Sequence, residues 1–279
     1  MLPSCWIVIR IDGKGFTKFS DAHEFDKPND ERALKLMNAA ATSLMESQPD
    51  IVLGFGQSDE FSFVLKKSTD LYTRRSSKLI SVFVSYFTAA YVQKWQTFFP
   101  DLDMKTLPSF DARTVLYPSD TALRDYMSWR QADCHINNQY NTCFWGLVKN
   151  GKSKTEAQKI LKGTLTNDKN EIMFTELGTN YNDLPQMHRK GSVLVRVSES
   201  KHVKDKPDGT PVYRECIVVR VTHEDMISPK FWTKYSYILE NTSASARSKK
   251  KHVSSPVGEP MGGADEKGTD KLLEEVCIR

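Results

Sequence analysis

Two short acidic stretches hold residues that could do chemistry together. Asp12 closes the apolar run WIVIRI and is followed by Gly13, Lys14, Gly15, Phe16 and Thr17; Asp59 and Glu60 lie in QSDE, between two further apolar runs. Carboxylates and a backbone carbonyl such as that of Gly13 are the hard oxygen donors that Mg²⁺ selects. Two such ions a few ångströms apart activate an attacking hydroxyl and stabilise a leaving pyrophosphate. Gly13 and Gly15 lack a Cβ, so backbone N–H groups can come close to a triphosphate there. Lys14, Lys18 and Lys27 add charge, Lys27 at the approach to a helix N-terminus, itself suited to anions. Taken singly, Asp-Gly after a strand is a turn signal and an acidic pair in a hairpin turn is a solvated one. Only their joint placement points to a metal site.

That placement depends on the elements around them. WIVIRI (6–11) reads as a buried strand, and PNDERALKLMNAAATSLMES (28–47) as a helix capped by Asn29 or Asp30, with Leu34, Met37, Ala41, Leu44 and Met45 at helical spacing. DIVLGFG (50–56) and FSFVLKK (61–67) form a hairpin, 72–95 a long helix with a basic start, and ARTVLYP (112–118) a fourth strand. The order βαββαβ is that of a ferredoxin-like split unit and of polymerase palms, an α+β fold, and it sets Asp12 and Asp59 at one edge of the sheet. The fold alone does not choose a function. Helical segments follow, then a C-terminal β-hairpin of SVLVRVSE and RECIVVRVTHE joined by a Lys-Pro-Asp-Gly loop. Three regions result: a catalytic core over 1–150, a helical and hairpin region over 151–240, and a disordered tail from Asn241, rich in Ser, Gly and charge.

The bulk composition excludes several classes. With 39% hydrophobic and 27% charged residues, the 279-residue chain can bury a substantial core, and no apolar run is long enough for a membrane span. Five cysteines without CxxC spacing fit neither a zinc site nor a disulfide framework and suit a reducing compartment, nucleus, cytoplasm or mitochondrion. The net charge of +4 is mild, so nucleic-acid contact would need a local patch. One candidate runs from Lys149 to Lys169, with six lysines against two acids. RSKKKH in the tail reads as a weak nuclear signal.

The third chemical stretch is HINNQYNTCFWGLVKNGKSKTEAQKILKGT, from His135. With RIDGKGF, GQSDEFSFV and RRSSKL in order before it, the chain closely resembles the tRNA(His) guanylyltransferase family from about Trp6 to Val195. The resemblance implies a palm that works in the reverse direction and adds a guanylate to the 5′ end of tRNA(His). ATP adenylylates the 5′-monophosphate, then the 3′-hydroxyl of GTP attacks and displaces AMP. It also implies a homotetramer. Carried over by position, Asp12, the Gly13 carbonyl and Asp59 would hold two Mg²⁺, with Glu60 beside them. Lys14, Gly15, Phe16 and Thr17 would cradle a triphosphate, with Ser58, Lys27 and Asp30 nearby. Arg75 and Lys78 would meet a second phosphate or the tRNA 5′ end. His135, Asn137, Asn138, Tyr140 and Asn141 match the tRNA signature, a residue set suited to reading unpaired bases; Lys169, Asn170 and Arg189 would add RNA contacts. Phe144, Trp145 and the Phe83, Phe87, Tyr91 series read as core packing.

The chain departs from its relatives at Lys14, where Arg is common, at Thr17, where His is frequent, and at Phe61, where Tyr is usual. Family members also carry a basic and aromatic segment ahead of the first strand, which would bear on tRNA affinity and assembly. Other functions share these features. A template-directed 3′–5′ polymerase would repair truncated tRNAs on the same fold, a nucleotide cyclase would make a cyclic product from GTP alone, and a non-catalytic subunit would bind RNA without needing Asp12 or Asp59.

Overall fold

The computed structural model describes residues 1–240; the tail expected to be disordered from Asn241 lies outside them. The split unit forms as its sequence order requires. Strand β1 (Trp6–Gly13) leads through α1 (Phe16–Ala22) to α2 (Glu31–Ser47), the hairpin β2 (Ile51–Gln57) and β3 (Glu60–Leu65), α3 (Ser76–Phe98) and β4 (Phe110–Tyr117). A C-terminal hairpin, β5 (Ser192–Asp205) and β6 (Pro211–Thr222), adds to the free edge of β2, giving one antiparallel sheet in the order β4-β1-β3-β2-β5-β6.

Both faces of this sheet are covered, which is why β1 reads as a continuous apolar run rather than an alternating one. Ile7, Ile9 and Ile11 join Phe61, Phe63 and Leu65 in a core against Leu36, Leu44, Phe83 and Phe87 of α2 and α3. On the other face Trp6, Val8, Leu53, Phe55 and Val64 pack under α4 (Asp120–Lys149) and α8 (Pro229–Lys234) through Leu123, Met127, Phe231 and Trp232. Beyond the sheet α4 continues as a spine. Cys143 and Leu147 gather α5 (Lys154–Leu161), α6 (Thr166–Thr175) and Tyr181 into a third small core, and α7 (Gln186–Lys190) packs on α4 as well.

Three local expectations change. The helix expected over 72–95 begins only at Ser76, because Leu71–Arg74 forms a tight 3₁₀ turn with left-handed φ at Tyr72, Thr73 and Arg74. Arg74 is buried there, its guanidinium donating to the carbonyls of Leu2, Cys5 and Thr69 (2.7, 2.8 and 2.9 Å). The glycine loop after Asp12 runs straight into α1, with Gly15 (φ 69°) in front of it, a conformation that favours glycine. The C-terminal hairpin is also longer than its apolar residues suggested, because backbone pairing continues through exposed residues to Asp205 and Pro211.

Candidate active site

The two acidic stretches meet at one end of the central strand pair. A two-residue turn, Ser58–Asp59, joins β2 to β3, with Ser58 left-handed (φ 50°). Register places Asp12 opposite Glu60, and the Gly13 N–H donates to the Asp59 carbonyl (3.0 Å). Gly13 is required here by space. A Cβ on it would lie 2.4 Å from the Phe16 ring and 2.8 Å from Asp59 Oδ2. Burial pushes the Asp59 carboxyl above the usual carboxylate range and the Asp12 charge adds to this, against the Ser58 hydroxyl bond (3.0 Å) and Arg10. Two crowded, half-buried carboxylates are a hard-oxygen donor set that a divalent cation would relieve. Among the described residues no group of three or more His, Cys, Asp or Glu forms a metal cluster, so further ligands would have to come from backbone, substrate or water.

Behind the carboxylates stands a charged network that spacing did not disclose. Arg10 Nη2 bridges Asp12 Oδ2 (2.8 Å) and Glu60 Oε2 (2.6 Å). Arg130, buried on α4, grips Glu60 through Nε (2.8 Å) and Nη2 (2.6 Å), and also bonds Asp133 (3.1 Å). Burial opposes the Arg130 charge, but Glu60 and Asp133 raise its pKa all the same. Glu60 is therefore held between two guanidinium partners, Arg10 and Arg130, at the start of β3 beside Asp59. Charge also changes sign along the sheet: Asp111, Asp12 and Glu60 share one row, and Arg113 and Arg10 the row two residues away.

Two cavities, of about 400 and 370 Å³, adjoin at this point and share walls of Pro28, Asn29, Ser58, Asp59 and Asn141. The larger runs over Phe16, Thr17 and Lys27 to Phe25, Tyr140, Phe144 and Trp145; the smaller holds Arg10, Asp12, Glu60, Arg130 and Asn137. Trp145, expected in the core, is a half-buried cavity wall instead, with Lys27 Nζ 5.9 Å from its ring centre, and Phe144 packs against the third core as expected while also lining the cavity. A polar helix face facing a gap looks the same in sequence as one facing neighbouring helices, so spacing could not separate the two.

The partition between the cavities is held from α4. Asn29 Nδ2 donates to Asn138 Oδ1 (2.8 Å), and Asn138 Nδ2 to the Tyr181 hydroxyl (3.2 Å), so Asn138, in the wall of the smaller cavity, is a buried strut. Asp30 lines the larger cavity and also caps α2, accepting from the Arg32 N–H (2.9 Å) and guanidinium (2.7 Å). Burial would raise its carboxyl, but the Arg32 and Asp26 bonds win and hold it below the usual range. Lys27 faces the larger cavity while bonding Ser20 (2.9 Å) and Asp21 (3.0 Å), and Lys14 is exposed beside Gly15.

Other expected contacts stand apart from both cavities. His135 bonds Tyr181 through Nδ1 (3.1 Å), its pKa lowered by burial and by Arg189. Lys169 Nζ closes on the Thr164 carbonyl (2.7 Å), Asn170 accepts from Gln139 (2.8 Å), and Arg189 Nε donates to the Leu184 carbonyl (2.9 Å). Arg75 and Lys78 are exposed at the start of α3. Tyr91, in the wall of the larger cavity, comes sixteen residues after Arg75 (91 − 75), about 24 Å along the helix axis. The chain on its own does not bring these residues into either cavity.

Comparison with known proteins decides the family. Residues 1–118 match the family model described as tRNAHis guanylyltransferase, and residues 121–255 the one described as Thg1 C terminal domain. The chain belongs to the tRNAHis guanylyltransferase family. A probable tRNA(His) guanylyltransferase of Dictyostelium discoideum is 49% identical over 240 residues, 86% of this chain and 92% of that one. tRNA(His) guanylyltransferase 2 of Arabidopsis thaliana is also 49% identical, but the chain spans only 44% of its length. The crystal structure of the Saccharomyces cerevisiae tRNA(His) guanylyltransferase superposes with a TM-score of 0.67 at 54% identity, covering 69% of this chain and 86% of that one. A bacterial guanylyltransferase-like protein in complex with ATP shares the fold, with a TM-score of 0.66 at 22% identity over 85% of this chain and 92% of that one. The α+β palm expected from the strand order is thus the fold of the family.

Proposed function

We propose that this chain adds a guanylate to the 5′ end of tRNA(His). The observation that carries the reading is the meeting of Asp12 and Asp59 where two cavities adjoin, one large enough for a nucleotide and the other open to a second reactant. The membership of the family supports the choice of substrate. In the first step an oxygen of the RNA 5′-monophosphate attacks the α-phosphorus of ATP; the bond to pyrophosphate breaks and a phosphoanhydride to AMP forms. In the second, the 3′-hydroxyl of GTP attacks the 5′-phosphorus of the RNA, and AMP leaves.

Asp12, Asp59 and the Gly13 carbonyl would hold two magnesium ions. Bound there, magnesium would acidify the attacking hydroxyl and offset charge on the leaving group. The chain's own residues do the rest. The Glu60–Arg130 pair fixes the end of β3, and Arg10 holds Asp12 in place. Lys14 and Lys27 offer charge to phosphates, and Tyr140, Phe144 and Trp145 offer ring faces to a base. Assembly into a homotetramer rests on the family resemblance and is read by sedimentation.

The test is transfer of α-labelled GTP to tRNA(His) bearing a 5′-monophosphate or a 5′-triphosphate. Label should enter both, and ATP should be needed for the monophosphate alone. Protein that binds GTP and magnesium yet transfers nothing overturns the reading. Equal transfer to a 5′-truncated tRNA of another identity would replace it with end repair.

A further inference from the structure

The ring of Tyr91 packs as its helical spacing predicts, against Phe16, Phe19 and Phe110 with ring centres 6.1, 6.3 and 5.5 Å away. Its hydroxyl has no such explanation. It is fully buried, and among the described residues no group hydrogen-bonds it, although the side chain forms part of the wall of the larger cavity. Buried polar atoms in native proteins are almost always paired, and an unpaired one is costly. Arg10 and Arg74 also have a buried unpaired Nε, but their other nitrogens are bonded; Tyr91 has a single polar atom. Packing alone would be served by phenylalanine, the residue one and two turns earlier at Phe87 and Phe83.

The surroundings say what the hydroxyl can offer. Burial, then the charges of Asp59 and Asp30, keep the phenol protonated, so it is an O–H donor beside Asp59. Asp30, which is not among the proposed magnesium ligands, keeps a negative charge there and favours an uncharged partner over a phosphate oxygen. We propose that Tyr91 is a ligand contact in the floor of the nucleotide cleft, donating its proton to an uncharged oxygen of the bound guanosine nucleotide, a ribose hydroxyl or the O6 carbonyl. This rests on the cleft being the nucleotide site, as argued above.

Tyr91→Phe in the full chain tests it, since the change removes one oxygen and leaves the ring. Binding of GTP is measured by calorimetry and the melting temperature without nucleotide. The expected result is a Tm equal to or above wild type, with GTP affinity lower by about three- to tenfold. Repeating the binding with 2′-deoxy-GTP, 3′-deoxy-GTP and the triphosphate of 2-aminopurine riboside, which lacks O6, identifies the oxygen: the loss vanishes for one analogue. A variant that binds GTP within twofold of wild type overturns the contact, as does a loss that persists for all three analogues. A fall in Tm together with affinity assigns Tyr91 to packing and overturns it too. Wild-type protein that binds no GTP overturns the cleft reading, and this contact with it.

Discussion

At position 13 one methyl group is enough to disturb the strand end. The Cβ of an alanine would fall inside contact distance of both Phe16 and Asp59 Oδ2, so ring or carboxylate must move. Gly13→Ala should lower stability by about 1–3 kcal/mol, as overpacking does, and cut guanylate transfer by about a hundredfold through misplacement of Asp59. Denaturant unfolding beside the transfer assay checks both. The meeting of the two acidic stretches at one strand end was legible in the sequence because each part is local: an apolar run ended by Asp12-Gly13, and an apolar hairpin with Asp59 in its turn. Arg130 was not, since its partner Glu60 lies seventy residues away and nothing in its neighbourhood in sequence marks it as buried.

At the scale of elements, α2 and α4 hold the site from two sides. Asp30 begins α2 with a cap and a guanidinium pair, and its folded pKa lies below the ordinary value of 3.8. A depressed carboxylate stabilises the fold above the unfolded pKa, and that stability is lost as pH falls through the folded one. Asp30→Ala should therefore cost about 1–2 kcal/mol at pH 7, and the gap to wild type should narrow as the pH is lowered below that value, read from urea midpoints across pH. On α4, Arg130→Met leaves buried Glu60 with Arg10 alone and should cost about 3–5 kcal/mol. Adding Glu60→Gln should recover much of that loss, and a double-mutant cycle on unfolding free energies measures the coupling. Helix and strand order could be read from periodicity. What α4 faces could not: Asn138, expected to serve tRNA, is bonded to Asn29 in the wall of the smaller cavity, and Trp145, expected in the core, lines the larger one.

At the scale of the molecule, the sheet carries the carboxylates and α4 with its small helices builds a basic flank beside them. Lys159 and Lys162 are exposed on that flank. If it meets RNA phosphates, Lys159→Ala with Lys162→Ala should reduce the slope of log affinity against log salt by about 0.7–0.9 for each phosphate no longer neutralised, measured by tRNA binding at several salt concentrations. An unchanged slope would make the run a solvated face. Among the described residues no helix is long and apolar enough to cross a membrane. In the proposed function Asp12 and Asp59 form one reaction centre between two cavities. Its most direct test is single-turnover transfer of labelled GTP to adenylylated tRNA(His) by Asp12→Asn and by Asp59→Asn, each shown to be folded. Either substitution should lower the rate by about a hundredfold or more with the melting temperature at or near that of wild type. Transfer within a few-fold of wild type in either variant would contradict it.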